Sequence, residues 1–379
     1  MIKPKSFLEA IIKANISFVT GVPDSLLKDI CGFIADNSNS FKHIIATNEG
    51  SALALAIGNY LATKKVPLVY MQNSGLGNIV NPVCSLADPQ IYGIPIVLMI
   101  GWRGEIDLDG QQINDEPQHK KQGQITISQL EIMDIPYEII DENIENVNQI
   151  LKLAVEKAKK RNGAFAILVR RNTFEKYNYE KLNQSINFPL RENVIEEIIS
   201  FIPKNSPVIS TTGVCSRELF EIRNKLNLGH ESDFLTVGGM GHASQIASGI
   251  AMAKPNRKVF CIDGDGAALM HTGAFAINAD QKNLIHILIN NEAHDSVGGQ
   301  PTKGEKIDFS KIAREFGYQY CYRVDKIENM RFILEKGLIR EGSLFIEVKC
   351  RLGFRDDLGR PTKTPEKNKN NFMNFLSNN

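Results

Sequence analysis

Short apolar runs alternate with helical patterns along almost the whole chain, and this alternation narrows the fold more than any other feature. In the first half, helical periodicity over residues 6–14, 25–35 and 49–64 is interleaved with strand-like runs at 17–21, 43–47, 66–72 and 95–101. Strands separated by helices call for parallel pairing, with the helices covering both faces of the sheet. A helix over 144–161 and a strand at 164–169 close this series. A second begins with a helix at 192–202 and a strand at 207–211, and ends with a strand at 344–349. The expectation is an α/β protein of two domains, each a mainly parallel sheet flanked by helices, over 1–171 and 190–350. A linker rich in Asn, Lys and Tyr joins them at 172–189, and a charged tail occupies 351–379. A chain of 379 residues is long enough for two separate cores.

Charge excludes several partners. Lys and Arg number 44 against 43 Asp and Glu, a net charge of +1, which argues for neither a nucleic-acid nor a membrane partner. Any anionic ligand must therefore be met by local cations. The cysteines, at 31, 84, 215, 261, 321 and 350, show no CxxC or zinc-like spacing and mostly fall in apolar runs, as expected of buried free thiols in a reducing cytoplasm. The start, MIKPKSFLEAIIKAN, reads as an amphipathic helix rather than a signal peptide. The longest apolar run, 94–100, is too short to span a bilayer.

The stretch KVFCIDGDGAALMHTGAFAINADQKNLIHILINNEAHDSVGG puts chemistry on this frame. Strands are expected at 258–262 and 284–289 with a helix over 269–280 between them, a βαβ unit with a right-handed crossover. Both strand ends then lie at one edge, where ligands of open α/β sheets bind. Asp265 and Asn291, 26 positions apart, are each expected where a strand gives way to a loop. Gly264 and Gly266 permit a tight turn and close approach of backbone N–H groups to phosphate oxygens. A carboxylate and an amide oxygen suit Mg²⁺ rather than zinc. A lone GDG is common and reads first as a surface turn; the second anchor at Asn291 argues for a cation held on a diphosphate. A dinucleotide site is excluded, because NSGLGNIVN after the strand ending at Gln72 lacks the third glycine of GxGxxG.

The GDG and NN pair resembles the signature of thiamin diphosphate-dependent enzymes. The resemblance implies a pyrimidine-binding first domain and a diphosphate- and Mg²⁺-binding second domain. It implies that the Asp265 carboxylate, the Asn291 side chain and the Ala293 carbonyl ligate Mg²⁺, with Gly264, Gly266 and Ala267 beside the diphosphate. Glu49, in ATNEGSALALAIGNYLA, matches the glutamate that meets the cofactor's pyrimidine nitrogen; read without the GDG stretch, it is rather a helix N-terminal glutamate favoured by the macrodipole. In TVGGMGHA, Met240 matches the apolar support beneath the bent cofactor and Gly238 the carbonyl that accepts from the aminopyrimidine. His242 is either a diphosphate contact or a helix cap. In STTGVCSREL, Thr211, Thr212 and Gly213 are candidates for phosphate contact, or Ser216 simply caps the helix. Cofactor sites formed between chains imply at least a homodimer.

Most thiamin decarboxylases carry a third, middle domain for which this chain has no room. The short form, with GVPDSLL, NEGSALALAIG, MQNSGLGN, GWRGE, DEPQHKKQG, STTGVCSREL, NNEAHDSVGGQPT and DLGRPTKTP, is similar to the phosphonopyruvate decarboxylases. Sulfopyruvate decarboxylases share several of these motifs. The implied reaction converts 3-phosphonopyruvate, a small anionic 2-keto acid, to phosphonoacetaldehyde and CO₂ in phosphonate (2-aminoethylphosphonate) biosynthesis. A noncatalytic cofactor-binding subunit is a further alternative, weakened by the presence of Glu49, Asp265 and Asn291 in one chain.

Proton-transfer candidates lie in polar loops at strand ends: Asp24 in GVPDS, which is equally an N-cap, His119 in the polar stretch 102–124, and His294 with Asp295. An anionic tail calls for a cation. Arg103 in GWRGE is the first choice, with His119 and Ser296 beside the substrate, and Lys120, Lys121 and the arginines of RLGFRDDLGRP behind them.

Overall fold

The computed structural model describes residues 1–107, 109–179 and 187–378. The chain forms two compact units, Met1–Lys181 and Leu182–Asn379. Part of the expected linker, residues 180–186, lies outside the described residues. Its earlier part belongs to the first unit: Phe174 packs edge-on against Phe7 at 5.2 Å, and Tyr177 donates to Asp36 at 2.7 Å.

The first unit holds a six-stranded parallel sheet built from β1 (Phe18–Gly21), β2 (Lys42–Ile45), β3 (Leu68–Gln72), β4 (Ile96–Gly101), β5 (Tyr137–Ile140) and β6 (Ala164–Val169). The spatial order is β2-β1-β3-β4-β6-β5. The central strands are buried on both faces. Leu68, Tyr70, Val97 and Met99 face one apolar layer, and Val69, Met71, Leu98 and Ile100 the other. This period-two alternation between two covered faces explains why these strands read as continuous apolar runs.

The second unit repeats the arrangement with β7 (Val208–Ser210), β8 (Asp233–Leu235), β9 (Val259–Gly264), β10 (Leu284–Asn290), β11 (Tyr320–Val324) and β12 (Leu344–Lys349), ordered β8-β7-β9-β10-β12-β11. Strand for strand, this is the order of the first sheet. In each unit the order reverses at the gap between the first and third strands, the switch point at which α/β sheets open a crevice at their carboxyl edge.

The structure corrects three local expectations. The helix expected over 269–280 is broken into Asp265–Met270, a 3₁₀ turn at Thr272–Ala274, and Phe275–Ala279. The interruption falls at His271, whose backbone (φ −140°, ψ 52°) leaves the helical region. Asp265 therefore opens a helix directly rather than sitting in a loop, and Gly264 has an ordinary extended backbone (φ −114°). The polar stretch 102–124 is only partly loop, because a helix over Pro117–Ile132 starts inside it with proline at its first position.

The tail carries a further helix, Pro365–Ser377, with Thr364 as its N-cap. Its Phe372 joins the apolar cluster of Ile209, Val259 and Cys261, while Asn368 donates to the Asp233 carbonyl at 2.8 Å and accepts from Leu235 N at 3.2 Å. It thus covers edge strand β8, whose free backbone groups invite unwanted strand addition. All six cysteines are unpaired and all but Cys84 are buried. No helix among the described residues is long and apolar enough to cross a membrane.

Candidate active site

In the first unit, the chemistry gathers at the carboxyl ends of β1 to β4. Glu49 follows β2 and opens the helix Glu49–Thr63, for which Asn48 is the N-cap through a 2.8 Å bond from Ser51 N. Glu49 is only 6% exposed, and its Oε2 accepts from Asn78 Nδ2 at 2.7 Å. The segment after β3 presses directly on it: a Cβ at Gly75 would lie 2.7 Å from Glu49 Cγ and Oε1. Glycine is required there for the carboxyl group to keep its place.

Asp24, just past β1, is fully buried. Its Oδ1 accepts from Gln72 Nε2 at 2.7 Å, and its Oδ2 from Leu26 N at 3.0 Å and Leu27 N at 3.3 Å. Burial pushes this carboxyl up, opposed by Gln72 and Arg103. Asp24 therefore organises the turn before the helix Lys28–Asn37 and has the raised proton affinity of an acid.

Arg103 follows β4 and is already engaged. Nε and Nη2 make a two-pronged pair with Asp115 at 2.8 and 2.5 Å, and Nη1 donates to Ser25 at 2.5 Å. Burial pushes Asp115 up, but Arg103 and the backbone N–H groups of Glu116 and Gly104 outweigh it and hold the carboxyl well below the usual range. The buried His119 lies with Asp115 and Glu116, their ligand atoms all within 4.8 Å of one another. The structure thus brings Asp24, Arg103 and His119 into one polar cluster. Lys120 and Lys121 are exposed. Asn73, unremarked in the sequence, ties the ends of β3 and β4 together: its Nδ2 donates to the Arg103 carbonyl and to Thr126 Oγ1, both at 2.9 Å.

In the second unit, the loop after β10 folds back across Asp265. His294 N donates to the Gln300 carbonyl at 2.8 Å and Thr302 N to the Glu292 carbonyl at 2.9 Å, and Ala293 pairs with Pro301 as an antiparallel bridge. This brings the Thr302 hydroxyl onto Asp265 Oδ2, to which it donates. Two glycines permit the close fit. A Cβ at Gly266 would lie 3.0 Å from His294 Cε1, and one at Gly304 would lie 2.6 Å from Asp265 Oδ2 and 2.7 Å from Asn290 Oδ1. Neither Gly264 nor Gly266 has a left-handed backbone; Gly266 serves packing rather than the tight turn expected of it. Burial pushes Asp265 up to about 7, against the pull of Thr302, the Gly266 N–H and Lys349. A buried carboxylate this costly to ionise is suited to a cation.

Asn291 is buried, and its Nδ2 donates to Asp295 Oδ2 at 2.8 Å. The preceding Asn290 is fully buried and fixes the loop by donating to Glu347 at 2.8 Å and the Gly304 carbonyl at 3.1 Å. Asn291 Oδ1 accepts from Ala293 N at 3.4 Å; a carboxylate, an amide oxygen and a backbone carbonyl are the all-oxygen kind of donor a hard divalent cation takes. His294 is half-buried, and desolvation pulls its imidazole down to about 4, so it is neutral at pH 7.

Gly213 (φ 87°, ψ −136°) precedes the helix Val214–Lys225, with Ser296 against it: Val214 N donates to Ser296 Oγ at 3.3 Å, and a Cβ at Gly213 would meet that oxygen at 2.4 Å. Ser216 does not cap this helix; its hydroxyl bonds to Ser210 and to the Thr211 carbonyl, 2.6 and 2.8 Å away. Thr211 ends its strand by donating from N to Ile262 O, and Thr212 is half-buried beside it. Ala267 is buried in the helix opened by Asp265. Gly239 and Gly241 adopt left-handed backbones around the half-buried Met240, with Gly238 just before them. His242 precedes the helix Ala243–Ala253 and stacks on His271 at 4.5 Å instead of capping it. Of the tail arginines, Arg355 is occupied by Glu192, Glu221 and Asp357.

Comparison with known proteins identifies the family of both units. Residues 5–132 match the family model of the thiamine pyrophosphate enzyme N-terminal TPP binding domain, and residues 212–348 that of the C-terminal TPP binding domain. Over its full length the chain is 29% identical to a phosphonopyruvate decarboxylase of Streptomyces viridochromogenes, covering 96% of that protein. It is 28% identical, again over its full length, to one of Streptomyces hygroscopicus, covering 94% of it. A sulfopyruvate decarboxylase of Methanosarcina acetivorans is 25% identical over 91% of this chain and 90% of its own.

Proposed function

The chain belongs to the thiamine pyrophosphate enzymes and is a carbon–carbon lyase that decarboxylates a small 2-keto acid, and from that premise we propose that its substrate is 3-phosphonopyruvate, converted with Mg²⁺ to phosphonoacetaldehyde and CO₂. The observation that carries the substrate reading is the match to phosphonopyruvate decarboxylases through both units end to end, at higher identity than to the full-length sulfopyruvate relative.

Thiamin diphosphate, when bound, supplies the electron sink for the departing carboxyl group. The chain supplies the rest. Glu49 holds or releases a proton at its carboxyl group toward the pyrimidine, with Asn78 fixing Oε2. Met240 would support the bound cofactor and Gly238 would offer it a carbonyl, while Thr211, Thr212, Gly213, His242, Gly264, Gly266 and Ala267 would line the diphosphate. Asp265, Asn291 and the Ala293 carbonyl hold Mg²⁺. Asp24, its proton affinity raised by burial, and His119 carry protons at the substrate side. Arg103 meets the phosphonate by sharing the guanidinium that Asp115 and Ser25 now orient, and Ser296, held against Gly213 in the second unit, is a further substrate contact. The active form is at least a homodimer in the cytoplasm. Its pathway is phosphonate biosynthesis, where loss of CO₂ draws an unfavourable preceding step forward.

CO₂ release from phosphonopyruvate, sulfopyruvate and pyruvate, each with Mg²⁺ and with a chelator, tests this reading. Phosphonopyruvate is expected to turn over fastest, and only with the metal; faster turnover of sulfopyruvate would move the assignment to that substrate. A second measurement tests the Glu49 geometry. Gly75→Ala places a methyl group where Glu49 now lies, and turnover is expected to fall about a hundredfold with little change in melting temperature. A wild-type rate would show that the fit around Glu49 does not matter.

A further inference from the structure

We infer that Asp295 is a positioning residue for Asn291, anchored by Arg191, and that this buried chain of three side chains sets how tightly the second unit grips its divalent cation. The inference rests on the reading of Asn291 as a metal ligand and adds a residue to it.

A single oxygen carries the arrangement. Asp295 Oδ2 accepts from Asn291 Nδ2 at 2.8 Å, from Arg191 Nη1 at 2.9 Å and from Gly353 N at 3.1 Å. All three side chains are buried. An ionised carboxylate accepts hydrogen bonds and cannot donate, so it can hold only the NH₂ end of an amide. A hard cation takes only the oxygen end. Asp295 therefore decides which way the Asn291 amide faces, and turns Oδ1, which accepts from Ala293 N at 3.4 Å, away from the carboxylate as the end a metal would take. With three donors on one oxygen, Asp295 is built to hold a position rather than to pass protons to a substrate.

Arg191 keeps Asp295 in place. It makes a two-pronged pair with Glu218 at 2.7 and 3.1 Å and donates to the Gly353 carbonyl at 3.3 Å. It opens the first helix of the unit, Arg191–Phe201, just where the chain enters. The neighbouring Pro189 carbonyl accepts from Arg351 N at 3.0 Å, in the segment that leaves β12. The cation loop is thus secured to both the entry strand segment and the exit segment of this unit. The tail residues 351–353 contribute their backbone here, a role that their charge does not advertise.

Glu218 separates this role from a merely structural ion pair, because it binds Arg191 in the same way and makes no hydrogen bond to Asn291 among the described residues. The test uses the full chain with saturating thiamin diphosphate and Mn²⁺ as the probe ion, with free Mn²⁺ read by electron paramagnetic resonance and folding checked by thermal melting. Asp295→Asn removes the sorting of the amide while keeping its shape, and is expected to weaken Mn²⁺ binding about 10–100-fold, as losses of outer-sphere partners do. Asn291→Ala should weaken it at least as much, and the double variant should be no worse than Asn291→Ala alone, since the two act through one contact. Glu218→Gln should lower the melting temperature with Mn²⁺ affinity kept.

Wild-type affinity in Asp295→Asn, additive losses in the double variant, or an equal loss in Glu218→Gln would each overturn the inference. If Asn291→Ala itself binds Mn²⁺ like the wild type, the metal assignment beneath it fails instead. Should Asp295→Asn not fold, Asn291→Asp serves in its place. It sets two carboxylates against each other, and is expected to bind Mn²⁺ more weakly despite its added charge; tighter binding would overturn the inference.

Discussion

Glu49→Gln is expected to lower CO₂ release from the 2-keto acid by about 10²–10⁴-fold, the range a positioned proton-transfer group contributes, while thiamin diphosphate still binds. The substitution keeps the size of the side chain and its contact with Asn78, and removes only the ability to hold and release a proton. Packing around the site is already closed by Gly75 and the N-cap at Asn48, so the variant has no reason to rearrange. Steady-state rates and equilibrium cofactor binding, measured on the same preparation, separate the two effects. Near-normal turnover would remove Glu49 from its role; lost cofactor binding would make it a binding residue instead.

The second large effect belongs to Asp265. Asp265→Asn is expected to weaken Mg²⁺-dependent cofactor binding by more than about a hundredfold, beyond the loss typical of an outer-sphere partner, because it removes the one charged donor among the three proposed. The same carboxyl gives a pH signature. Burial raises it from 3.8 to about 7 in the folded chain, so between these values the folded state keeps a proton that the unfolded state releases. Without metal, its contribution makes the protein less stable as pH rises from about 4 to about 7. A divalent cation replaces that proton. The gain in melting temperature from Mg²⁺ with thiamin diphosphate should therefore be larger at pH 8 than at pH 6, and Asp265→Asn should abolish both the gain and its pH dependence. A gain independent of pH, or one that persists in the variant, would place the cation elsewhere.

Much of this was legible in the sequence because the central strands are buried on both faces and so read as plain apolar runs. The edge strands β5, β8 and β11 gave no comparable signal: β8 is three residues long, and β5 and β11 carry partly exposed positions. The helix Pro117–Ile132 lacks an apolar stripe, and only Pro117 marks its start. In the site, Asp265 and Asn291 stood out by their spacing at the ends of neighbouring strands. Thr302, Asn290 and Glu347 did not, because uncharged or isolated polar residues meet only after long separations, 57 residues for Asn290 and Glu347. Arg103 was visible as a charge, but nothing in the sequence revealed that Asp115 already holds it. Likewise, Asp295 was visible as an acid, but nothing in the sequence revealed that its Oδ2 accepts from Asn291 and Arg191.

The shared strand order of the two sheets has a meaning for engineering. One strand order appears twice in a single polypeptide, and the two sheets differ in what their strand tips carry. The tip after the second strand of the first sheet bears Glu49; its counterpart after β8 bears the glycine-rich TVGGMGHA. The tip after the third strand bears Gln72 to Gly75 in one copy and Asp265 in the other. The frameworks share one strand order and differ at their tips, so new specificity in a chain of this kind is best sought by changing tips and leaving the sheets alone.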